Sequence, residues 1–395
     1  MAWGDKVIVL STLSNQLGSN PKHIEQSCKN YLTNPSPNHE FTLRNHLIPQ
    51  YEKVFYSLIS QPDGFLNLIN FRADVIKASQ ESKGDGNLQL LNKNLKRILQ
   101  EYFNVSNLNL ERITWDKPAS LLEKVIKYSE EVHPMNNWSN LKNRVGNGKR
   151  CYGFFHPSIP NDPVAFIEVA LTKELSKYVA PLISKESDVI EREADTAIFY
   201  AIISTKDGLS GIDLGHSLIT NVVSQLQAEF HGLKLFSTLS PVPGFKRWLD
   251  TSLNQYLSKS KFQESPILNE DEIKELESFS KKEAHAALKD LLTTDWFNSQ
   301  QLSTLLQKPL TRLITHYLTQ VKKHGFAYCS VANFHLRNGA CLESVNWLAD
   351  PSPKRISQSL GFMVNYKYDL AKLKENNEKY LLHHEIAKSP NIQNL

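Results

Sequence analysis

The sequence predicts an α+β protein: an all-helical N-terminal domain over residues 1–110, then an α/β domain over 111–395 that carries a helical insert. Three observations predict it. Apolar residues recur at spacings of three and four through the first hundred residues, as along one face of a helix. After Trp138 the text turns to short runs rich in Val, Ile, Phe, Tyr and Thr, residues that favour strands. Within that text a strand, a Gly-containing loop, a helix and another strand follow in order, which is an α/β unit. At 395 residues the chain also exceeds one small core, so two domains are expected.

In NLQLLNKNLKRILQEYF, residues Leu88, Leu91, Leu95, Ile98 and Tyr102 fall on one helical face; Leu68, Phe71 and Val75 do the same in the preceding segment. The polar ESKGDGN at 81–87 is the turn between those two helices. Amphipathic helices usually pack inward, so these stripes are expected to form a bundle core. Strands are expected at CYGFFHP, PVAFIEVALT, TAIFYAIIST and LKLFSTLS, and Leu218, Val222 and Leu226 mark a helix between the last two. The insert at 262–325 returns to charged, helical text, with NEDEIKELESFSKKEAHAALKDLL as its clearest piece. A final apolar strand, LGFMVNYKYDL, closes the core, and no internal repeat is present.

Composition narrows the function classes. The content, 41% hydrophobic and 22% charged, is that of an ordinary globular enzyme. Net charge is +4, from 45 Lys+Arg against 41 Asp+Glu spread along the chain, too diffuse for the concentrated basic face that nucleic acid requires. Cys28, Cys151, Cys329 and Cys341 have no CxxC or ligand-like spacing, so reduced thiols are expected rather than a disulfide framework or a zinc site. No stretch approaches the roughly 20 apolar residues of a membrane span. The opening MAWGDKVIVLSTLSNQLGSN lacks signal and transit features, and the ending is not a peroxisomal SKL. Cytoplasm is the expected compartment.

Three motifs could carry chemistry. The first, Ser210-Gly211-Ile212-Asp213-Leu214-Gly215-His216, lies between a strand and a helix. Its glycines let the backbone approach a ligand, and the amides of the following helix N-terminus offer an anion site for a pyrophosphate. Taken alone, two glycines there are more often only a turn. The second is Leu239-Ser240-Pro241-Val242-Pro243-Gly244-Phe245, directly after a strand. Its two prolines lack amide donors, so the ladder must stop or bulge and leave Ser240 at a splayed strand end. With no GxSxG elbow, a hydrolase-type serine is disfavoured. The third is VANFHLRNGA at 331–340, where His335 stands just ahead of the helix-stop signal Asn338-Gly339. Histidine titrates near neutrality and can move a proton, although a lone histidine in apolar text is usually structural. The remaining histidines show no HExxH or paired ligand spacing, and no metal is expected.

Together and in this order the motifs are specific. The chain resembles the malonyl-CoA decarboxylase family through ITW at 113–115, VHPMNNW at 132–138, RVG and RCY at 144–152, ADTAIFY at 194–200, GLSGIDLG at 208–215, FSTLSPVPGF at 236–245, VANFHLRNGA at 331–340, NWLAD at 346–350 and NYKY at 365–368. The resemblance implies a GNAT-like (acyl-CoA N-acyltransferase-like) catalytic domain over 111–395 and malonyl-CoA as substrate. It also implies CoA pyrophosphate binding at 210–216, Ser240 and His335 as catalytic residues, no cofactor and a homotetramer. Residues 1–110 are then read as an oligomerisation or interaction domain. At 213 the family often shows Glu, so the shorter Asp213 is a departure.

Loss of CO2 from a malonyl thioester leaves charge on C2 that spreads onto the thioester oxygen. Catalysis must therefore position the carboxylate, stabilise the enolate oxygen and protonate C2. In the scheme that follows, Ser240 hydrogen-bonds the malonyl carboxylate, while His335 donates to the enolate and supplies the C2 proton. Tyr366 or Tyr368 adds a hydroxyl donor to the carboxylate. Such an enzyme would govern malonyl-CoA level and fatty-acid metabolism through acetyl-CoA formation. Two other readings remain: a GNAT-type CoA-dependent N-acyltransferase, which would need an amine acceptor, and a non-catalytic CoA-binding scaffold, which would bind without turnover.

Overall fold

The structure, a computed structural model, describes residues 2–82, 84–183, 189–258 and 267–393. The first residues of the expected insert, 262–266, lie outside the described residues. The chain forms two compact units that interleave along the sequence: Met1–Ser129 with Tyr152–Phe166 and Ile202–Val222, and Glu130–Cys151 with Ile167–Ala201 and Val223–Leu395.

The first unit begins with six helices, Trp3–Gln16, Pro21–Thr33, Pro37–Leu47, Tyr51–Ile59, Gly64–Glu81 and Gly86–Tyr102. Their starts are written locally. Asn20 and Ser36 each cap a helix that has proline in its first turn, and the Asp85 carboxylate accepts from the amides of Asn87 and Leu88. The anticipated stripe is core: Leu68, Val75, Leu88, Leu91, Leu95 and Ile98 are fully buried, while Phe71 and Tyr102 at its margin are half-buried. The loop at 81–87 is shorter than expected, because the helix resumes at Gly86 on the Asp85 cap.

Ten strands follow among the described residues: β1 Asn109–Arg112, β2 Lys149–Phe155, β3 Ala165–Thr172, β4 Thr196–Ser204, β5 Leu235–Thr238, β6 Ser240–Pro241, β7 Lys322–Lys323, β8 Phe326–Ala327, β9 Cys341–Asn346 and β10 Met363–Lys367. Eight of them form one sheet in the order β1-β2-β3-β4-β5-β10-β6, with β9 also paired to β10. In the first unit β1 runs antiparallel to residues 152–155 of β2. In the second, β4 and β5 are parallel, while β10 is antiparallel to β5, β6 and β9. Buried residues run almost without interruption along β2, β3 and β4, as in strands covered on both faces.

The helix Leu214–Glu229 appears where the sequence puts it, with Leu218, Val222 and Leu226 fully buried. The insert is helical over Glu270–Ser280, Ala284–Leu291 and Gln300–Thr319, the first opened by a capping box between Asn269 and Glu272. The architecture is α+β. Strands β1 and β9 were not foreseen, since NLER and CLESVN are polar runs whose strand character comes from their neighbours.

Candidate active site

Strand β5 ends against β4 at the pair Phe199↔Thr238, and the Leu239 amide makes one more bond to the Phe199 carbonyl at 3.0 Å. On its other edge pairing continues through Val364↔Ser240 and Met363↔Pro241 in an unbroken register with Lys367↔Ser237. One edge therefore stops at Thr238 while the other runs on to Pro241. The proline pair thus interrupts the ladder as the sequence predicts, and Ser240 is held from the β10 side. A side chain takes up the loose end. Fully buried Asn365 donates from Nδ2 to the Thr238 carbonyl at 2.8 Å, and its Oδ1 accepts from Asn346 Nδ2 at 2.6 Å and Ser344 Oγ at 2.7 Å.

His335 lies in the last turn of the helix Ser330–Arg337, which Asn338 terminates. Its Nε2 stands 2.9 Å from Ser240 Oγ, although 95 positions separate the two residues. Ser240 Oγ is also 2.9 Å from Thr238 Oγ1, two residues earlier on the same face, and Thr238 Oγ1 accepts the Tyr366 amide at 3.3 Å. On the other side of the ring, His335 Nδ1 is 2.8 Å from the Tyr368 hydroxyl. Tyr366, two residues before Tyr368, stacks on the imidazole with centroids 4.5 Å apart and planes 24° off parallel. The result is a hydrogen-bonded chain Tyr368–His335–Ser240–Thr238 with a tyrosine ring beneath its centre.

The chain is dry. Ser240 is 6% exposed, His335 2% and Tyr368 3%. Burial lowers the His335 pKa from 6.5 to about 3, so the imidazole is neutral near pH 7. A neutral imidazole carries one N–H, which permits two orientations of the chain. Either Tyr368 donates to Nδ1 and Nε2–H donates to Ser240, or Ser240 donates to Nε2 and Nδ1–H donates to Tyr368. A proton can pass along the chain by switching between them.

Of the sequence candidates, Ser240, His335 and Tyr366 converge in the second unit, with Tyr368. The Tyr366 hydroxyl, however, is buried without a hydrogen-bond partner among the described residues, and the hydroxyl that touches the imidazole belongs to Tyr368. Sequence reasoning missed Thr238 and Asn365. The i, i+2 spacing of Thr238 and Ser240 in a strand was the available signal for the first; none marked the second.

The 210–216 segment belongs to the first unit. A short 3-10 turn, Asp207–Leu209, leads into Ser210 and then Gly211, whose φ of 78° is a conformation that favours glycine. Ser210, Gly211 and Asp213 are exposed, Ile212, Gly215 and His216 half-buried, and Leu214 buried where the helix begins. Amides in that first turn have no intrahelical partner. Among the described residues no cluster of three or more His, Cys, Asp or Glu could hold a metal ion, and no helix is long and apolar enough to cross a membrane.

Comparison with known proteins agrees along the whole chain. Residues 17–103 match the family model "Malonyl-CoA decarboxylase N-terminal domain", and residues 106–395 match the corresponding C-terminal domain. The mitochondrial malonyl-CoA decarboxylase of Rattus norvegicus is 39% identical over 362 residues, 90% of this chain and 73% of the relative. That of Anser anser anser is 38% identical over 347 residues, 87% and 68% of the two chains. Among solved structures, the malonyl-CoA decarboxylase of Rhodopseudomonas palustris aligns with a TM-score of 0.87 at 32% identity, covering 100% of this chain and 91% of that one. The Agrobacterium vitis enzyme gives the same TM-score at 31% identity, with the same coverage. With residues 17–103 and 106–395 matching its two family models, the chain belongs to the malonyl-CoA decarboxylase family.

Proposed function

We propose that this protein is a carboxy-lyase that converts malonyl-CoA to acetyl-CoA and CO2, with Ser240 and His335 as the catalytic pair. The observation that carries the assignment of roles is the 2.9 Å contact between Ser240 Oγ and His335 Nε2, with Tyr368 on the other imidazole nitrogen at 2.8 Å.

The reaction breaks the bond between C2 and the carboxylate carbon. The electron pair moves to C2 and onto the thioester oxygen, and CO2 departs. Ser240 donates to a carboxylate oxygen and so holds the carboxylate out of the carbonyl plane, where the breaking bond overlaps the carbonyl π system. His335 Nε2–H donates to the enolate oxygen, the kind of fixed donor worth about 3–4 kcal/mol in a water-excluded site. Enolate carbon is basic enough to take a proton from neutral imidazole while Tyr368 returns one to Nδ1, and one proton taken up from solvent restores the tyrosine. CO2 and acetyl-CoA are the only products. Residues 210–216, with Ser210, Gly211, Ile212, Asp213, Leu214, Gly215 and His216, are the proposed seat of the CoA pyrophosphate, supported by the positive φ of Gly211 and the helix start at Leu214.

Residues 111–395 form the catalytic portion and residues 1–110 the assembly module, a boundary close to where the two family models meet. The enzyme works as a cytoplasmic homotetramer, its four cysteines free as in a reducing compartment, and lowers malonyl-CoA in fatty-acid metabolism. The test is to incubate purified protein with malonyl-CoA alone and follow acetyl-CoA and CO2. Acceptor-independent release supports decarboxylation; absence of product without an added amine would favour an N-acyltransferase.

A further inference from the structure

The turn that opens the 210–216 segment is built upon the N-terminal helices. Gly208 lies so close to the helix Gly64–Glu81 that a Cβ there would stand 1.8 Å from the Ile69 carbonyl oxygen. One turn along that helix, Arg72 donates from Nη1 to the Gly208 carbonyl at 2.6 Å and from Nη2 to the Ser210 carbonyl at 3.0 Å. Its Nε donates to Asn92 Oδ1 at 3.1 Å, on the neighbouring helix Gly86–Tyr102. Arg72 is 3% exposed, and among the described residues no carboxylate pairs with it. A buried guanidinium without a counter-charge is costly.

A second cation stands above the same turn. Lys96, four residues after Asn92 and so on the same helical face, has its Nζ 3.3 Å from the position a Cβ on Gly211 would occupy. It is half-buried, and among the described residues no acidic side chain pairs with it. The carboxylates of the turn, Asp207 and Asp213, are exposed and pair with neither cation. Two unneutralised positive charges therefore flank a glycine turn and the positive end of a helix, an arrangement completed by an anion brought from outside.

We propose that Arg72 and Lys96 complete the phosphate-binding side of the substrate site: Arg72 is a positioning residue that holds the 208–210 turn, and Lys96 meets a phosphate oxygen of the acyl-CoA over Gly211. This rests on the assignment of 210–216 to the pyrophosphate and deepens it. The helices of residues 1–110 thereby take part in substrate recognition as well as assembly.

The experiment compares malonyl-CoA with malonyl-pantetheine, which carries the same thioester and no phosphate, using the full-length enzyme and its Lys96→Gln and Arg72→Lys variants. In Lys96→Gln, KM for malonyl-CoA is expected to rise about ten-fold relative to KM for malonyl-pantetheine, as for loss of one charge-assisted contact. Its KM for malonyl-CoA also becomes less sensitive to added salt. Arg72→Lys keeps the charge but loses the fork that reaches two carbonyls, so it too raises KM for malonyl-CoA selectively. Equal changes with both substrates, or a Lys96→Gln variant that keeps the wild-type preference for malonyl-CoA, would overturn the proposal. Wild-type enzyme with equal KM for the two substrates would instead remove the pyrophosphate assignment of 210–216 itself. A melting midpoint for each variant separates misfolding from lost recognition, and Lys96, half-buried and unpaired, is the variant that should fold.

Discussion

The two candidate regions of this molecule solve opposite electrostatic problems. From Tyr368 through His335 and Ser240 to Thr238 each group is buried and hydrogen-bonded to the next, and burial holds the imidazole uncharged. Around Ser210 and Gly211 the backbone is exposed, and among the described residues neither Arg72 nor Lys96 pairs with a carboxylate. Under the proposed function the contrast corresponds to a reacting thioester and to permanent phosphate charge. A dry site stabilises charge that appears only during reaction, because fixed dipoles act strongly where water is excluded. A charged turn recognises charge that is permanent, and can do so at the surface. Chemistry and binding can therefore be perturbed separately.

The largest expected effects lie in the dry region. Ser240→Ala and His335→Gln should each lower kcat by about 10²- to 10³-fold, with KM changed far less. Retention of near-normal turnover in both, measured as acetyl-CoA formation, would end the assignment of the pair. Next comes Tyr368→Phe. Loss of the donor to Nδ1 should cost about ten-fold in kcat with little change in KM; a rise in KM alone would move Tyr368 from the chemistry to the binding side of the contrast.

A third prediction concerns pH and stability. The folded His335 pKa of about 3 lies below the ordinary 6.5, so between those values the unfolded chain holds a proton that the folded one excludes. Stability from this group is complete above pH 6.5 and is lost as pH falls towards 3. His133, buried and lowered to about 4, acts in the same direction. Between pH 7 and 5 the melting midpoint of wild type should therefore fall more steeply than that of His335→Gln; equal slopes would contradict a buried neutral imidazole. The smallest effect is expected at Tyr366. Its hydroxyl has no hydrogen-bond partner among the described residues, so Tyr366→Phe should leave kcat within about two-fold and raise stability by about 1 kcal/mol. A large loss of turnover would show that this hydroxyl meets substrate.

Much of the fold was legible because it is written in local periodicity. The stripe Leu88, Leu91, Leu95 and Ile98 and the helix marked by Leu218, Val222 and Leu226 need only neighbours within a few residues. Strands β1 and β9 were not legible, since polar text becomes strand only when an edge is offered for pairing. Of the site, the proline-broken strand and the helix-stop after His335 could be read, as both are backbone chemistry. Asn365, Arg72 and Lys96 could not, because nothing in an amphipathic helix or a strand distinguishes a side chain that meets a distant carbonyl from one that meets solvent.

By itself, then, the sequence determined the α+β class, the helical beginning, the interrupted strand at Ser240 and, through motifs held in order, the malonyl-CoA decarboxylase resemblance. Only the tertiary structure decided that an imidazole and a hydroxyl 95 residues apart meet at 2.9 Å, that Tyr368 rather than Tyr366 completes the chain, and that an N-terminal arginine holds the Gly208 and Ser210 carbonyls. The reason is one of range. Periodicity, capping and proline chemistry act over a few residues of chain, whereas burial and hydrogen-bond partnership are set by segments that only folding brings into contact.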